Sequence, residues 1–236
     1  MSMKKCAAAA LVYVLVTGFF LSAAWVGSQA VTVMAQRLPV EGRRTIVIDP
    51  GHGGEDGGAV SCTNVLEKTV NLEIALRLND LFHLLGVHTE MTRREDKSVH
   101  TTGQTIAQRK ISDLKERVKQ VNSIENPILI SIHQNLYPDA RYRGAQVFYG
   151  PEKASKALAE NMQKSFLETL NQGSNRQIKD AQGIYLMEKA QCTAVLVECG
   201  FLSNPSEESL LRSADYQRHV CCVIAIEAAN FLDAQT

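Results

Sequence analysis

Four side chains of this sequence could carry hydrolytic chemistry if the fold lets them meet: His52, Glu67, His133 and Glu198. Two imidazoles with one or two carboxylates are the inventory of a catalytic zinc site, in which His, His and Glu leave an open position for water. The settings of these residues set them apart. His52 lies within Pro50-Gly51-His52-Gly53-Gly54, where glycines let the backbone bend sharply and a ligand come close. His133 follows Ile130-Ser131-Ile132, and Glu198 follows the aliphatic run 194–197, so buried strands should deliver both to defined points. Glu67 opens a helical stretch directly after the glycine loop. The competing reading is of separate surface residues, and it is the one that suits His83, His88, His100 and His219. Spacing alone leaves the metal question open, because distant histidines meet only if the fold brings them together.

The elements that must position these residues follow from hydrophobic period. From Thr45 onward, short β-branched runs alternate with amphipathic helical patterns. That is the signature of a single α/β domain whose twisted, mostly parallel sheet of about six strands carries helices on both faces. Strands are expected at 45–48, 87–91, 128–132, 145–149 and 194–197. The 128–132 run shows no polar residue until Ser131 and should be buried on both faces. Leu66, Val70, Ile74, Leu78, Leu81 and Leu85 recur at helical spacing, and Gly86 closes that helix. Further helices are expected over 106–121, 153–170 and 215–231. In open α/β sheets, sites form at the carboxyl ends of strands, and His52, His133 and Glu198 stand where three of the strands give out.

The rest of the chain bounds the problem. It has 236 residues, 45% of them apolar, and 25 basic residues balance 25 acidic ones, so charge offers no reason to expect a nucleic-acid partner. Lys4-Lys5 precede an apolar run over 7–26, about the 20 residues that span a bilayer. Residues 1–30 therefore read as an export signal or a membrane anchor with the amino terminus inside. Ser28-Gln29-Ala30 offers a cleavage site, whereas the length of the run suits an uncleaved anchor. Residues 31–44 read as a linker and 45–236 as the catalytic domain. Cys62, Cys192, Cys199, Cys221 and Cys222 lack CxxC spacing and form no disulfide framework. Cys199, Cys221 and Cys222 read as small core residues, and Cys62 and Cys192 stay open. A cysteine nucleophile at Cys199 is disfavoured, because a reactive thiol needs an imidazole neighbour and an exposed, electropositive setting.

Five ordered motifs resemble one family. They are Ile48-Asp49-Pro50-Gly51-His52-Gly53-Gly54; Leu66-Glu67-Lys68 with Asn71-Leu72; Met91-Thr92-Arg93; Ser131-Ile132-His133-Gln134-Asn135; and Val197-Glu198-Cys199-Gly200-Phe201-Leu202-Ser203-Asn204. Together they resemble the zinc-dependent N-acetylmuramoyl-L-alanine amidases of the type-3 family, in order from Thr45 to the C-terminal helix. The Ser131-Ile132-His133-Gln134-Asn135 form, together with the strand Gly144-Ala145-Gln146-Val147-Phe148-Tyr149, is similar to the spore-associated amidases of endospore formers. The resemblance implies that His52, Glu67 and His133 bind one Zn2+, that Glu198 is the catalytic carboxylate, and that Glu67 is chosen over Glu55 and Glu73. It implies peptidoglycan as substrate, cut between muramic acid and L-alanine during cortex maturation. The place of action it implies is extracytoplasmic, in the intermembrane space of the forespore. Asp56, Arg93, Arg117 and Asn135 also match motif positions, with structural roles as alternatives. Gln134 departs from the small residue of many relatives and is expected to narrow the groove. A zinc carboxypeptidase, a peptidoglycan deacetylase and a non-catalytic wall-binding protein remain alternatives. No room for a separate wall-binding module follows Phe231, so recognition is expected from this domain, its anchor or a partner. An activator protein or a homodimer is left open.

Overall fold

The computed structural model describes residues 44–234. The expected signal or anchor at 1–30, and all of the linker but Arg44, lie outside the described residues. Among the described residues, no helix is long and apolar enough to cross a membrane.

Six strands of the described residues form one sheet: β1 (Ile46–Pro50), β2 (Thr89–Met91), β3 (Ile128–Asn135), β4 (Gln146–Tyr149), β5 (Lys179–Asp180) and β6 (Thr193–Phe201), in the order β2-β1-β3-β6-β4-β5. The pairs β1–β2, β1–β3, β3–β6 and β4–β5 are parallel, and β4 runs antiparallel to β6. Among the described residues, six helices accompany it: α1 (Glu67–Leu84), α2 (Ile106–Asn122), α3 (Lys153–Thr169), α4 (Tyr185–Lys189), α5 (Pro205–Leu211) and α6 (Ala214–Asp233).

Alternation along the strands sorts the two faces. Ile46 and Ile48, Ile128, Ile130 and Ile132, Val147, and Val195, Val197 and Cys199 point to one side. There they pack against Val70, Ile74, Leu78 and Phe82 of α1, Met162 and Phe166 of α3, and Ile224 and Ala228 of α6. Val47, Leu129, Ala194 and Leu196 point to the other side, against Val121 of α2 and Leu186 and Met187 of α4. A buried strand must be apolar on both faces to do this.

Local signals explain the helix ends. Gly86 takes φ 71° after α1, with Val87 N donating to Phe82 O, a closure that a side chain would strain. Thr105 and Gln108 form a reciprocal capping box at the start of α2. Asn204 caps α5 from its side chain, and Pro205 supplies the first helical turn.

Several expectations are corrected. β3 and β6 run past their aliphatic stretches, so His133 and Glu198 lie inside strands rather than after them. The pairing persists because ladder hydrogen bonds do not depend on side-chain polarity, and it continues past a register shift between His133 and Asn135 to the pair Asn135–Phe201. β5, α4 and α5 are short elements without a hydrophobic period to announce them. Cys222, read as a core residue, is exposed, while Cys199 and Cys221 are buried.

Candidate metal centre

The loop after β1 places the first imidazole. His52 adopts φ 62°, a left-handed conformation that costs a non-glycine residue about 1–2 kcal/mol. Surrounding bonds hold it there. Arg117 Nη2 donates to His52 O at 2.6 Å, Gly53 and Asp56 exchange backbone bonds, and Arg93 donates to Pro50 O and Gly51 O, both at 2.9 Å. Arg93 and Arg117 thus act structurally, on the backbone of the loop. Strain concentrated where a side chain must be aimed is common at functional sites.

α1 places the carboxylate. Glu67 is its first residue and is buried, while Asn71, one turn later on the same face, donates to Glu67 Oε1 and to Gly51 O. Ala59 N donates to Glu67 Oε2 at 2.8 Å, and Gln134 N donates to Oε1 at 3.1 Å. β3 places the second imidazole: His133 shares its face with Ser131, away from the Ile130 and Ile132 side.

These three residues converge. His52 Nε2 lies 3.2 Å from Glu67 Oε2, His133 Nδ1 lies 2.9 Å from Glu67 Oε1, and one ligand atom from each residue falls within 4.8 Å of the others. Ligands about 2.0–2.2 Å from a tetrahedral zinc stand about 3.4 Å apart, so the donor set and its spacing fit that ion. Two glycines make the cradle. A Cβ on Gly51 would collide with Cε1 of the His133 ring, and one on Gly58 would meet Glu67 Oε2 and the His52 ring. The charges of the cluster favour a positive charge among these residues. Burial works against ionisation of Glu67, yet the two imidazoles hold its carboxyl far below the usual range. Burial likewise lowers His52, but Asp56 and Glu67 raise it to about 9. The Asp56 carboxylate, 2.8 Å from His52 Nδ1, fixes the ring so that Nε2 faces Glu67.

Glu198 stands beside this cluster. It is directly opposite His133 in the β3–β6 register, and its Oε2 is closed off from solvent with no hydrogen-bond partner among the described residues. Burial raises its carboxyl to about 7, with His133 pulling down and Glu67 pushing up. An unpartnered carboxyl poised near neutrality is suited to accept and return a proton.

The other candidates go elsewhere. Glu55 pairs with Arg109 on the surface, and Glu73 accepts from Gln217. Gln134 does not narrow the groove: the alternation of β3 turns it to the opposite face, where Nε2 donates to Asn71 Oδ1 at 3.1 Å. Cys199 is buried, and burial pushes its thiol well above the ordinary range, so no thiolate nucleophile forms there. His83, His88 and His219 lie on the surface, as expected. The orienting roles of Asp56 and Asn71 are not evident from their types, although each sits four residues from a member of the cluster.

A family model described as N-acetylmuramoyl-L-alanine amidase matches residues 46–227. The chain belongs to this amidase family. It is 41% identical over 189 residues to the germination-specific N-acetylmuramoyl-L-alanine amidase of Bacillus subtilis (strain 168), covering 79% of this chain and 78% of that one. Among solved structures it is similar to the CwlD amidase of Clostridioides difficile in complex with the GerS lipoprotein. That match has a TM-score of 0.77 at 34% identity, and covers 81% of this chain and 99% of the other. The catalytic domain of the amidase CwlV from Bacillus (Paenibacillus) polymyxa matches with a TM-score of 0.67 at 31% identity, over 80% and 98% of the two chains. The amidase acts on peptidoglycan, hydrolysing the bond between N-acetylmuramic acid and L-alanine. The carboxypeptidase, deacetylase and non-catalytic alternatives fall away, and the amidase carries the mostly parallel α/β sheet of its solved relatives.

Proposed function

We propose that His52, Glu67 and His133 hold a single Zn2+ and that Glu198 is the catalytic proton carrier. The convergence of three ligand atoms within 4.8 Å, with the unpartnered Glu198 Oε2 beside them, carries this reading. When bound, zinc supplies the Lewis acidity that makes water a competent nucleophile near neutral pH and draws charge from the scissile carbonyl. Glu198 takes a proton from the attacking water and delivers it to the departing alanine nitrogen as the C–N bond breaks. The products are a free muramoyl carboxyl and a peptide amine. Asp56 keeps His52 in the tautomer with Nε2 free to bind, and Asn71 fixes the Glu67 carboxylate.

Residues 1–30 direct the domain across the membrane as a signal or anchor, 31–44 form the linker, and 45–236 form the catalytic domain, which acts outside the cytoplasmic membrane. The likeness to a germination-specific amidase supports spore cortex as the target and the forespore intermembrane space as its place. The likeness to an amidase solved with a lipoprotein supports a protein partner of that kind.

Glu198→Gln tests the assignment. Hydrolysis of muramoyl peptide should fall by about 10²- to 10⁴-fold, the usual worth of a positioned acid–base group, while the variant still binds one zinc per chain by elemental analysis. Loss of zinc in that variant would move Glu198 into the ligand set, and undiminished turnover would remove it from the chemistry.

A further inference from the structure

One strand over from Glu198, an open groove of about 560 Å3 gathers Arg141, Arg143, Arg176 and Lys179 against a single carboxylate, Asp139. Asp139 is already bound to Arg141 at 2.7 Å. The nearby Glu207 is also committed, since its two oxygens accept from Gly144 N and Phe201 N. The groove keeps a net positive charge, although Asp139 offsets Arg141 and the Glu207 carboxyl acts on Arg143 and Arg176 from nearby.

Its central cation is built in. Arg176 is half-buried, with its guanidinium 4.4 Å from the Phe201 ring centroid, Nε donating to Arg143 O and Nη1 donating to Gln146 Oε1 at 2.9 Å. Nη2 has no acceptor among the described residues. A stacked, doubly tethered guanidinium is fixed in direction, which is what recognition of a planar carboxylate requires. Gln146 ties this cation to the centre, because it is the residue opposite Glu198 in the β4–β6 register and so lies on the same face about 5 Å away. His133, Glu198 and Gln146 thus form one rung across three neighbouring strands, with Arg176 at its outer end.

We propose that Arg176 and Arg143 form a subsite for a free carboxylate of the stem peptide, on the leaving-group side of the scissile amide. Two residues of extended chain span about 7 Å. The side carboxylate of the second stem residue can therefore reach this guanidinium while the first residue's nitrogen sits at Glu198. The inference rests on Glu198 and the His52–Glu67–His133 cluster being the reacting end of the groove.

The test uses the zinc-loaded full chain and two muramoyl tripeptides that differ at the second residue, one with a free α-carboxylate and one with a carboxamide. Wild type should favour the carboxylate by about tenfold or more, through KM rather than kcat, the worth of a charged hydrogen-bond pair. Arg176→Gln and Arg143→Gln should each shrink that preference toward one, and Arg176→Lys should restore part of it. Arg143 is exposed, so its variant keeps the test valid if loss of Arg176 unfolds the loop. Equal use of both substrates by wild type would overturn the subsite, as would an unchanged preference in both glutamine variants; the groove would then serve an acidic protein partner or solvent. Failure of zinc-loaded wild type to cleave either substrate would instead sink the catalytic assignment, and the subsite with it.

Discussion

Arg117→Met should invert the contribution of Asp49 to the acid dependence of stability, because Arg117 is what keeps this buried carboxylate charged. Asp49 and Arg117 are 1% and 2% exposed, and their side chains meet at 2.6 Å. Burial pushes the Asp49 carboxyl up, but Arg117 and the hydroxyls of Thr92 and Ser131 outweigh it and bring it from 3.8 to about 2. A depressed folded-state value means stability that is present above the unfolded pKa and lost as pH falls through the folded one. Working the linkage between those two values, wild type should lose about 1 kcal/mol from this group alone between pH 5 and pH 3. Without Arg117 the burial effect prevails, so Asp49 should hold its proton above 3.8. Its contribution to stability should then decline as pH rises. Truncating one partner of a buried pair costs about 3–5 kcal/mol, with proton uptake by Asp49 limiting the loss toward the lower figure. Urea unfolding at a series of pH values from 3 to 6, comparing Arg117→Met and the double variant with Asp49→Asn against wild type, reads the difference in slope. An Arg117→Met slope parallel to that of wild type would refute the reasoning.

Asp56→Asn should weaken zinc binding by about 10- to 100-fold, measured by competition with a chromophoric chelator, because the carboxylate orients His52; unchanged affinity would show that the loop alone aims the ring. Gly51→Ala should abolish zinc binding while circular dichroism still reports a folded sheet, since the added methyl collides with the His133 ring. Cys199→Ala should keep most of the hydrolytic activity, as the thiol is buried behind the strand and held protonated; complete loss without unfolding would restore a thiol mechanism.

Much of the architecture is legible because burial imposes period. The 70, 74, 78 spacing of α1 and the aliphatic runs of β1, β3 and β6 follow directly from which residues must leave water. What escaped has no period to read. β5 has two residues and α4 has five, so neither runs through its period twice. Polar residues at the ends of β3 and β6 look like loop in the sequence, whereas backbone pairing carries the strands on through Asn135 and Phe201. The four chemical residues could be singled out by type and setting, but the choice of Glu67 over Glu55 and Glu73 came only with the family resemblance. In the structure that choice has a simple cause. The first residue of α1 abuts the glycine loop, whereas Glu55 faces solvent and Glu73 is turned toward α6.

The misplacement of Gln134 shows how tightly chemistry and core are coupled in this sheet. Successive strand residues alternate sides, so the rule that buries Ile130 and Ile132 against α1 also sends Ser131 and His133 to the opposite face. Gln134 must follow the isoleucines inward, where its amide braces Asn71 and, through it, Glu67. On β6 the same parity buries Val197 and Cys199 and presents Glu198. A one-residue slip of β3 against β6 would bury an imidazole among aliphatic side chains and bring an amide to the metal cluster. The hydrophobic core therefore sets the register of the site: His133, Glu198 and Gln146 share a rung because the apolar residues preceding or following each of them leave no other alignment free of buried polar groups.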